Sequence, residues 1–219
     1  MEIVRLRSWR RGLPLLLAFL LAGGCSRIPR IIVLSDPLTA AEHVELGVAY
    51  ERKGELDLAQ REYERALRKD GKFHRARVNL GNVFLGKKEY GKAREEYLQA
   101  LGLRPADAEA ANNFSWAAIF SGEGIDEALA RMESMVSGPE VRLPTLLDTL
   151  GVLRMRTNRP VPAEEAFAQA EALCREAGAA AKEGVNGDAP CPEEVRREIE
   201  DHHGELRRRF PSPSPAPAN

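Results

Sequence analysis

The chain has 219 residues, 43% of them hydrophobic and 30% charged, with 32 Lys and Arg against 33 Asp and Glu. That near-balance excludes the basic surface that nucleic acid demands, and it is not the balance of an acidic tail protein. Ala, Leu, Glu and Arg dominate and β-branched segments are few, which predicts helices throughout.

The chain begins with Arg5, Arg7, Arg10 and Arg11, then an apolar stretch from Leu13 to Leu21, then Ala22-Gly23-Gly24-Cys25. A basic region, a short apolar run and a small-residue site make a secretory signal. The run falls short of the ~20 residues that span a membrane. With cysteine at the junction, the segment resembles a bacterial lipoprotein signal, although Ala22 stands where Leu is more usual. The resemblance implies cleavage before Cys25 and a covalent lipid on Cys25. Residues 1–24 are then the signal peptide and 25–38 a lipidated tether. The cleaved chain carries 28 basic and 32 acidic side chains. Fully stretched, residues 26–38 reach only about 40–47 Å, so the rest of the chain stays near the membrane. Ser26 after the cysteine resembles the outer-membrane address of enteric lipoproteins. The expected location is the bacterial cell envelope, lipid-anchored and facing the periplasm.

From residue 39 the sequence repeats. Leu46-Gly47 recurs 34 residues later as Leu80-Gly81, and Tyr50 returns as Phe84. Ala59, Tyr63 and Ala66 return as Ala93, Tyr97 and Ala100, and Pro105 closes the second unit. A third copy reads Phe114-Ser115, then Ala128 after a one-residue insertion, with Met132 in the aromatic place. The fourth reads Leu150-Gly151, Ala163, Phe167 and Ala170, with Arg154 in place of an aromatic. Periods of this length signal solenoids. The pattern resembles the tetratricopeptide repeat family. It implies an all-α solenoid of about four helix-turn-helix repeats over residues 39–181, divided near 39–72, 73–106, 107–140 and 141–181. Small residues such as Gly47 and Gly81 would let paired helices approach, and Tyr63, Tyr97 and Phe167 would fill the space between hairpins. Turns are expected at Lys53-Gly54, Gly86-Lys87, Gly122 to Gly124 and Asn158-Arg159. Pro162 with Glu164 and Glu165 marks a helix start.

Residues 182–210 are predicted to be a linker and a capping helix, because a solenoid needs its last apolar face covered. Pro192, Glu193 and Glu194 would start the helix and Arg207 to Arg209 finish it. Val195, Ile199, His202, Leu206 and Phe210 form one stripe. Export places Cys174 and Cys191 in an oxidising compartment, where they would pair as a disulfide that pins the cap. Free thiols, or a zinc site completed by His202 and His203, are the alternatives. Residues 211–219 alternate proline with small residues, a solvated tail with nothing to bury.

No catalytic constellation emerges. His43 and His74 have no nucleophile at a recognisable spacing, and the glycines belong to the repeat rather than to a phosphate loop. The expectation is a protein without catalysis, metal or other cofactor. In the resembled family the first helices line a concave face that contacts ligands from fixed positions. Carried over, these are Val44 and Val48 in repeat one, and Arg75, Val78, Asn79, Asn82 and Leu85 in repeat two. Repeat three gives Asn112, Asn113, Trp116 and Phe120, and repeat four gives Asp148, Val152 and Met155. Val44 and Val48 stand where Lys and Asn form a carboxylate clamp in some members, so free C-termini are not expected ligands. Asparagine can donate to and accept from a peptide backbone at once, and Trp is a common anchor in interfaces. The expected partner is a protein or peptide of the cell envelope, with the membrane engaged through the lipid and no nucleic acid. The expected role is a scaffold in envelope assembly. The alternative is an accessory subunit that presents substrate to a peptidase, secretion or polysaccharide-export system.

Overall fold

The structure is a computed structural model and describes residues 36–138, 143–182 and 191–211, with side chains omitted for 178–182. The signal segment, Cys25 and the tail from 212 on lie outside the described residues. The chain divides into two units, Met1–Pro37 and Leu38–Asn219.

Among the described residues of the second unit there are helices and no strands. They are α1 (Ala40–Arg52), α2 (Leu56–Lys69), α3 (His74–Gly86), α4 (Tyr90–Leu103), α5 (Ala108–Ser121), α6 (Ile125–Val136), α7 (Pro144–Arg156), α8 (Pro160–Lys182) and α9 (Glu193–Arg209). The first eight form four hairpins, each packed on the next, and α9 covers α7 and α8. The first helices α1, α3, α5 and α7 also touch in sequence, so they line one face together. This is the all-α repeat array with a terminal helix that the sequence pattern predicts.

Local signals set the helix ends. Thr39 and Glu42 form a reciprocal capping box at α1, with Glu42 Oε2 accepting from the Thr39 amide at 2.7 Å; this satisfies donors that have no intrahelical partner. Asp107 accepts from the Ala110 amide at 2.8 Å and caps α5. The hairpin turns place Gly54, Lys88, Gly122 and Asn158 at φ of 75°, 62°, 74° and 60°. The left-handed position is therefore part of the repeat, and in the second unit Lys88 rather than a glycine occupies it. Helix α8 begins at Pro160, two residues before the expected start at Pro162; both prolines fit the first turn, where no amide bond is lost.

The aromatic residues anticipated between hairpins, Tyr63, Tyr97 and Phe167, are each 0% exposed, and each lies against a glycine on the first helix of its own hairpin: Gly47, Gly81 and Gly151. They sit where the facing helix has no side chain. A Cβ on Gly81 would lie 2.5 Å from Tyr97 Cε1, and one on Gly151 would lie 2.6 Å from Phe167 Cε1. This fixes the sign of a substitution. Ala normally gains about 0.5–1 kcal/mol over Gly inside a helix. At Gly81 overpacking, about 1–3 kcal/mol, outweighs that gain, so Gly81→Ala is expected to destabilise the protein. Gly91 has no heavy atom within 4 Å of its Cβ direction, and Gly91→Ala is expected to be neutral or stabilising. Urea denaturation of both variants checks this, and a stabilised Gly81→Ala would dismiss the close approach.

Candidate partner-binding groove

The first helices bring the sequence-predicted groove residues to one face, but not to one depth. Val44, Val78, Val152 and Met155 are 1%, 4%, 3% and 1% exposed and belong to the hydrophobic core. They are corrected from groove to core: apolar side chains at these positions are drawn between helices, where water is excluded. Asp148 is corrected too. It is 4% exposed, with Oδ2 2.9 Å from His202 Nδ1, so the cap helix already engages it. Val48, Asn79, Asn82, Leu85, Asn112, Asn113 and Trp116 are half-buried, and Arg75 and Phe120 are exposed.

The asparagines stitch neighbouring repeats. Asn82 Oδ1 accepts from Tyr97 OH at 2.7 Å and from Asn113 Nδ2 at 3.0 Å, while Asn82 Nδ2 donates to Glu109 Oε1 at 3.3 Å. Thr149 Oγ1 donates to Asn112 Oδ1 at 2.7 Å. Tyr63 OH donates to Glu51 across the first hairpin. Burial pushes the Tyr63 and Tyr97 phenols well above their ordinary pKa, helped by Glu51 at Tyr63 and by Glu109 at Tyr97. Both therefore remain neutral donors. The polar half of the groove is held in a fixed arrangement rather than left as loose amides, because each buried polar atom needs a partner.

Beside this network runs an aromatic strip. The Tyr90 and Phe120 rings lie 5.5 Å apart, as do Phe120 and Trp116, and Trp116 lies 5.6 Å from His202. Phe120 is 55% exposed, a large apolar surface left to solvent. Tyr90 belongs to a second helix, so a reading confined to first helices missed it. His203, left out of the expected cap stripe and weighed only as a metal ligand, is 3% exposed and more deeply buried than His202. Helix α9 packs against both α7 and α8, so its buried arc is wider than one stripe. His202 faces α7 through Asp148, and His203 faces α8 through Glu164 and Glu171.

Other titratable groups are paired locally. His43 Nδ1 lies 2.8 Å from Glu62 Oε2, and His74 Nε2 lies 3.2 Å from Asp107 Oδ2. Cys174 and Cys191 are joined by a disulfide, with Cα atoms 4.9 Å apart. Their sulfurs are thus not available as metal ligands. Among the described residues no group of three or more His, Cys, Asp or Glu is placed to hold a metal ion, and no helix is long and apolar enough to cross a membrane.

A stack of helical hairpins with a concave side defines a helical-repeat protein. The family model described as tetratricopeptide repeat matches residues 44–108. Among solved structures, a chain of the APC/C hetero-tetramer Cut9–Hcn1 superposes with a TM-score of 0.63 at 18% identity, over 79% of this chain and 31% of that one. MamA gives 0.57 at 16% identity, over 80% and 97%. PilW, described as a widely conserved type IV pilus biogenesis factor, gives 0.56 at 18% identity, over 77% and 78%. These likenesses are of fold. The present chain spans less than a third of the Cut9–Hcn1 chain that it matches. No curated protein matches the chain. Residues 44–108 thus match the tetratricopeptide-repeat family, and the array shares the fold of these solved structures.

Proposed function

We propose that this protein is a non-catalytic scaffold that takes a protein or peptide segment of the cell envelope on its concave face, held at the membrane by a lipid on Cys25. The observation that carries the reading is the aromatic strip of half-buried Tyr90 and Trp116 and exposed Phe120 beside the fixed polar network around Asn82. A flat apolar shelf next to oriented polar groups suits an extended segment that buries a bulky side chain and pairs its backbone. Exposed aromatics of this size stay in water at a cost of about 25 cal/mol per Å², which a partner removes. The fold shared with a pilus biogenesis factor makes envelope assembly the pathway to test first.

The test is photo-crosslinking in cells from position 120, the most open place on the strip, with mass spectrometry of the membrane fraction. A discrete adduct is expected. Trp116→Ala is expected to weaken it by about 2 kcal/mol, roughly 30-fold in affinity, with helicity unchanged. In Cys25→Ser the adduct is expected to move to the soluble fraction. Absence of any adduct from position 120 in folded protein would remove the groove assignment.

A further inference from the structure

Helix α9 does more than close the array. It runs antiparallel to α8: Cys191 is bonded to Cys174, His203 Nδ1 lies 2.6 Å from Glu171, and Arg207 lies 3.3 Å from Glu164. Because α7 and α8 form a hairpin, α9 lies parallel to α7. This carries His202 over the concave side, onto Asp148 and the Trp116 ring. Val152 has Val48, Asn82 and Trp116 as its counterparts in the earlier repeats. Those three are half-buried, whereas Val152 is 3% exposed. Helix α9 therefore lies over the first helix of the last repeat at Asp148, against the Trp116 ring.

The contacts that hold the cover are proton-dependent by their geometry. His203 Nδ1 faces Glu171 at 2.6 Å and Nε2 faces Glu164 at 2.8 Å. An imidazolium donates to both carboxylates, whereas a neutral ring has one N–H. In the neutral ring Nε2 can instead accept from Arg207 Nη2, 3.1 Å away, which also donates to Glu164 at 3.3 Å. Glu164 is then held by an exposed arginine alone, a weak form of ion pair.

The charged groups facing the two rings are Asp148 from α7, Glu164 and Glu171 from α8, and Glu198, Glu205 and Arg207 from α9 itself. Helix α5 presents the uncharged Trp116 ring. Five carboxylates thus meet one arginine, and loss of the His202 imidazolium charge leaves the cluster more negative. Like charges held this close repel. At His202 burial pulls the pKa down, but the hydrogen bond and charge of Asp148, with Glu198 and Glu205, outweigh it and hold the ring above the ordinary histidine value. A raised folded-state pKa gives stability that is fully present below the unfolded value and is lost as pH rises through the folded one.

We propose that α9 is a proton-controlled cover of the last repeat's groove, held closed by His202 and His203 against Asp148, Glu164 and Glu171, and released when the His202 ring is neutral. The disulfide tethers the amino-terminal end of α9 near Cys191, so release is a swing of the histidine-bearing half. The swing frees Asp148 and the Trp116 ring and lengthens the concave face. The inference rests on the partner-binding reading for its purpose, but its test needs no partner.

The test is hydrogen exchange of the full chain at about pH 6 and about pH 8.5, corrected for intrinsic rates. Protection of α9, taken relative to α3 and α4 in the same sample, is expected to fall several-fold at the higher pH. In His202→Gln/His203→Gln that ratio is expected to be low and the same at both pH values. The α3 and α4 protection reports in each sample that the array is folded. A wild-type ratio that does not change with pH overturns the proposal, as does a variant that keeps the wild-type pH response. Failure of the partner-binding reading would appear as a missing adduct at position 120 and would leave these exchange data untouched.

Discussion

Phe167→Ala is expected to cost about 3–5 kcal/mol, the usual penalty for removing a buried aromatic ring. Three features put it in that range. The ring is 0% exposed. It lies against the backbone of Gly151, where a Cβ would stand 2.6 Å away. It also stacks on His203 at 5.6 Å, with an interplanar angle of 26°. The void left by alanine sits where α7, α8 and α9 meet, and a rigid array cannot collapse into it. Phe167 is a cleaner probe than Tyr97, because Tyr97 also donates a hydrogen bond to Asn82 and its truncation would mix two losses. For a domain of this size the shift amounts to roughly 10 °C in Tm. Guanidinium denaturation followed by far-ultraviolet circular dichroism measures it. Neighbour-only contacts make repeat arrays prone to unfold in parts, so the variant is expected to lose the α7–α9 end first and to broaden the transition. A change under 1 kcal/mol would mean that this end is not part of the cooperative unit.

Loss of the Cys174–Cys191 bond is expected to cost about 3 kcal/mol, the chain-entropy value for a loop of this length. The two cysteines are 17 residues apart. Cys174 is 5% exposed and lies in a small cluster with Leu147, Ala170 and Ile199, against which Val195 and Cys191 pack. That cluster is separate from the main core, so it has few other means of holding α9. Ile199 alone accounts for about 1.5–3 kcal/mol of apolar burial. Reduction should therefore loosen the amino-terminal half of α9 and leave α1 to α6 intact. Denaturation of the wild type with and without reductant, and of Cys174→Ser/Cys191→Ser, should give the same stability loss in both cases. If thiol-reactive labels modify both cysteines in native, unreduced protein, the bond is absent in solution.

Much of the fold is legible in the sequence because its cause is local and periodic. The 34-residue spacing of Leu46-Gly47 and Leu80-Gly81, and the returns of Tyr63 as Tyr97, place small residues opposite large ones without any knowledge of distance. The structure realises that opposition atom by atom at Gly81 and Tyr97. Helix ends at Thr39, Asp107 and Pro192 follow from capping and proline chemistry that needs only neighbouring residues. The candidate site was less legible. Family positions place the candidates on the first helices, yet Val44, Val78, Val152 and Met155 went to the core, because depth depends on the next helix rather than on position within a repeat. Asparagines 82 and 113 look like peptide clamps in one dimension and become cross-links between repeats in three.

By itself, the sequence determines the helical repeat, its register, the buried aromatics and the terminal helix, since each depends on residues a few turns apart. Only the tertiary structure decides what α9 covers. Asp148 and His202 are 54 residues apart, as are no two residues in any repeat rule, and their meeting follows from α9 lying parallel to α7 between two helices. That placement buries His203 as well as His202 and sets carboxylates from two helices around them. It also leaves Tyr90, Phe120 and Trp116 as the open end of the groove. Periodic packing is written in spacing; the closing of one end of a solenoid over its own concave face is a long-range contact that spacing does not encode.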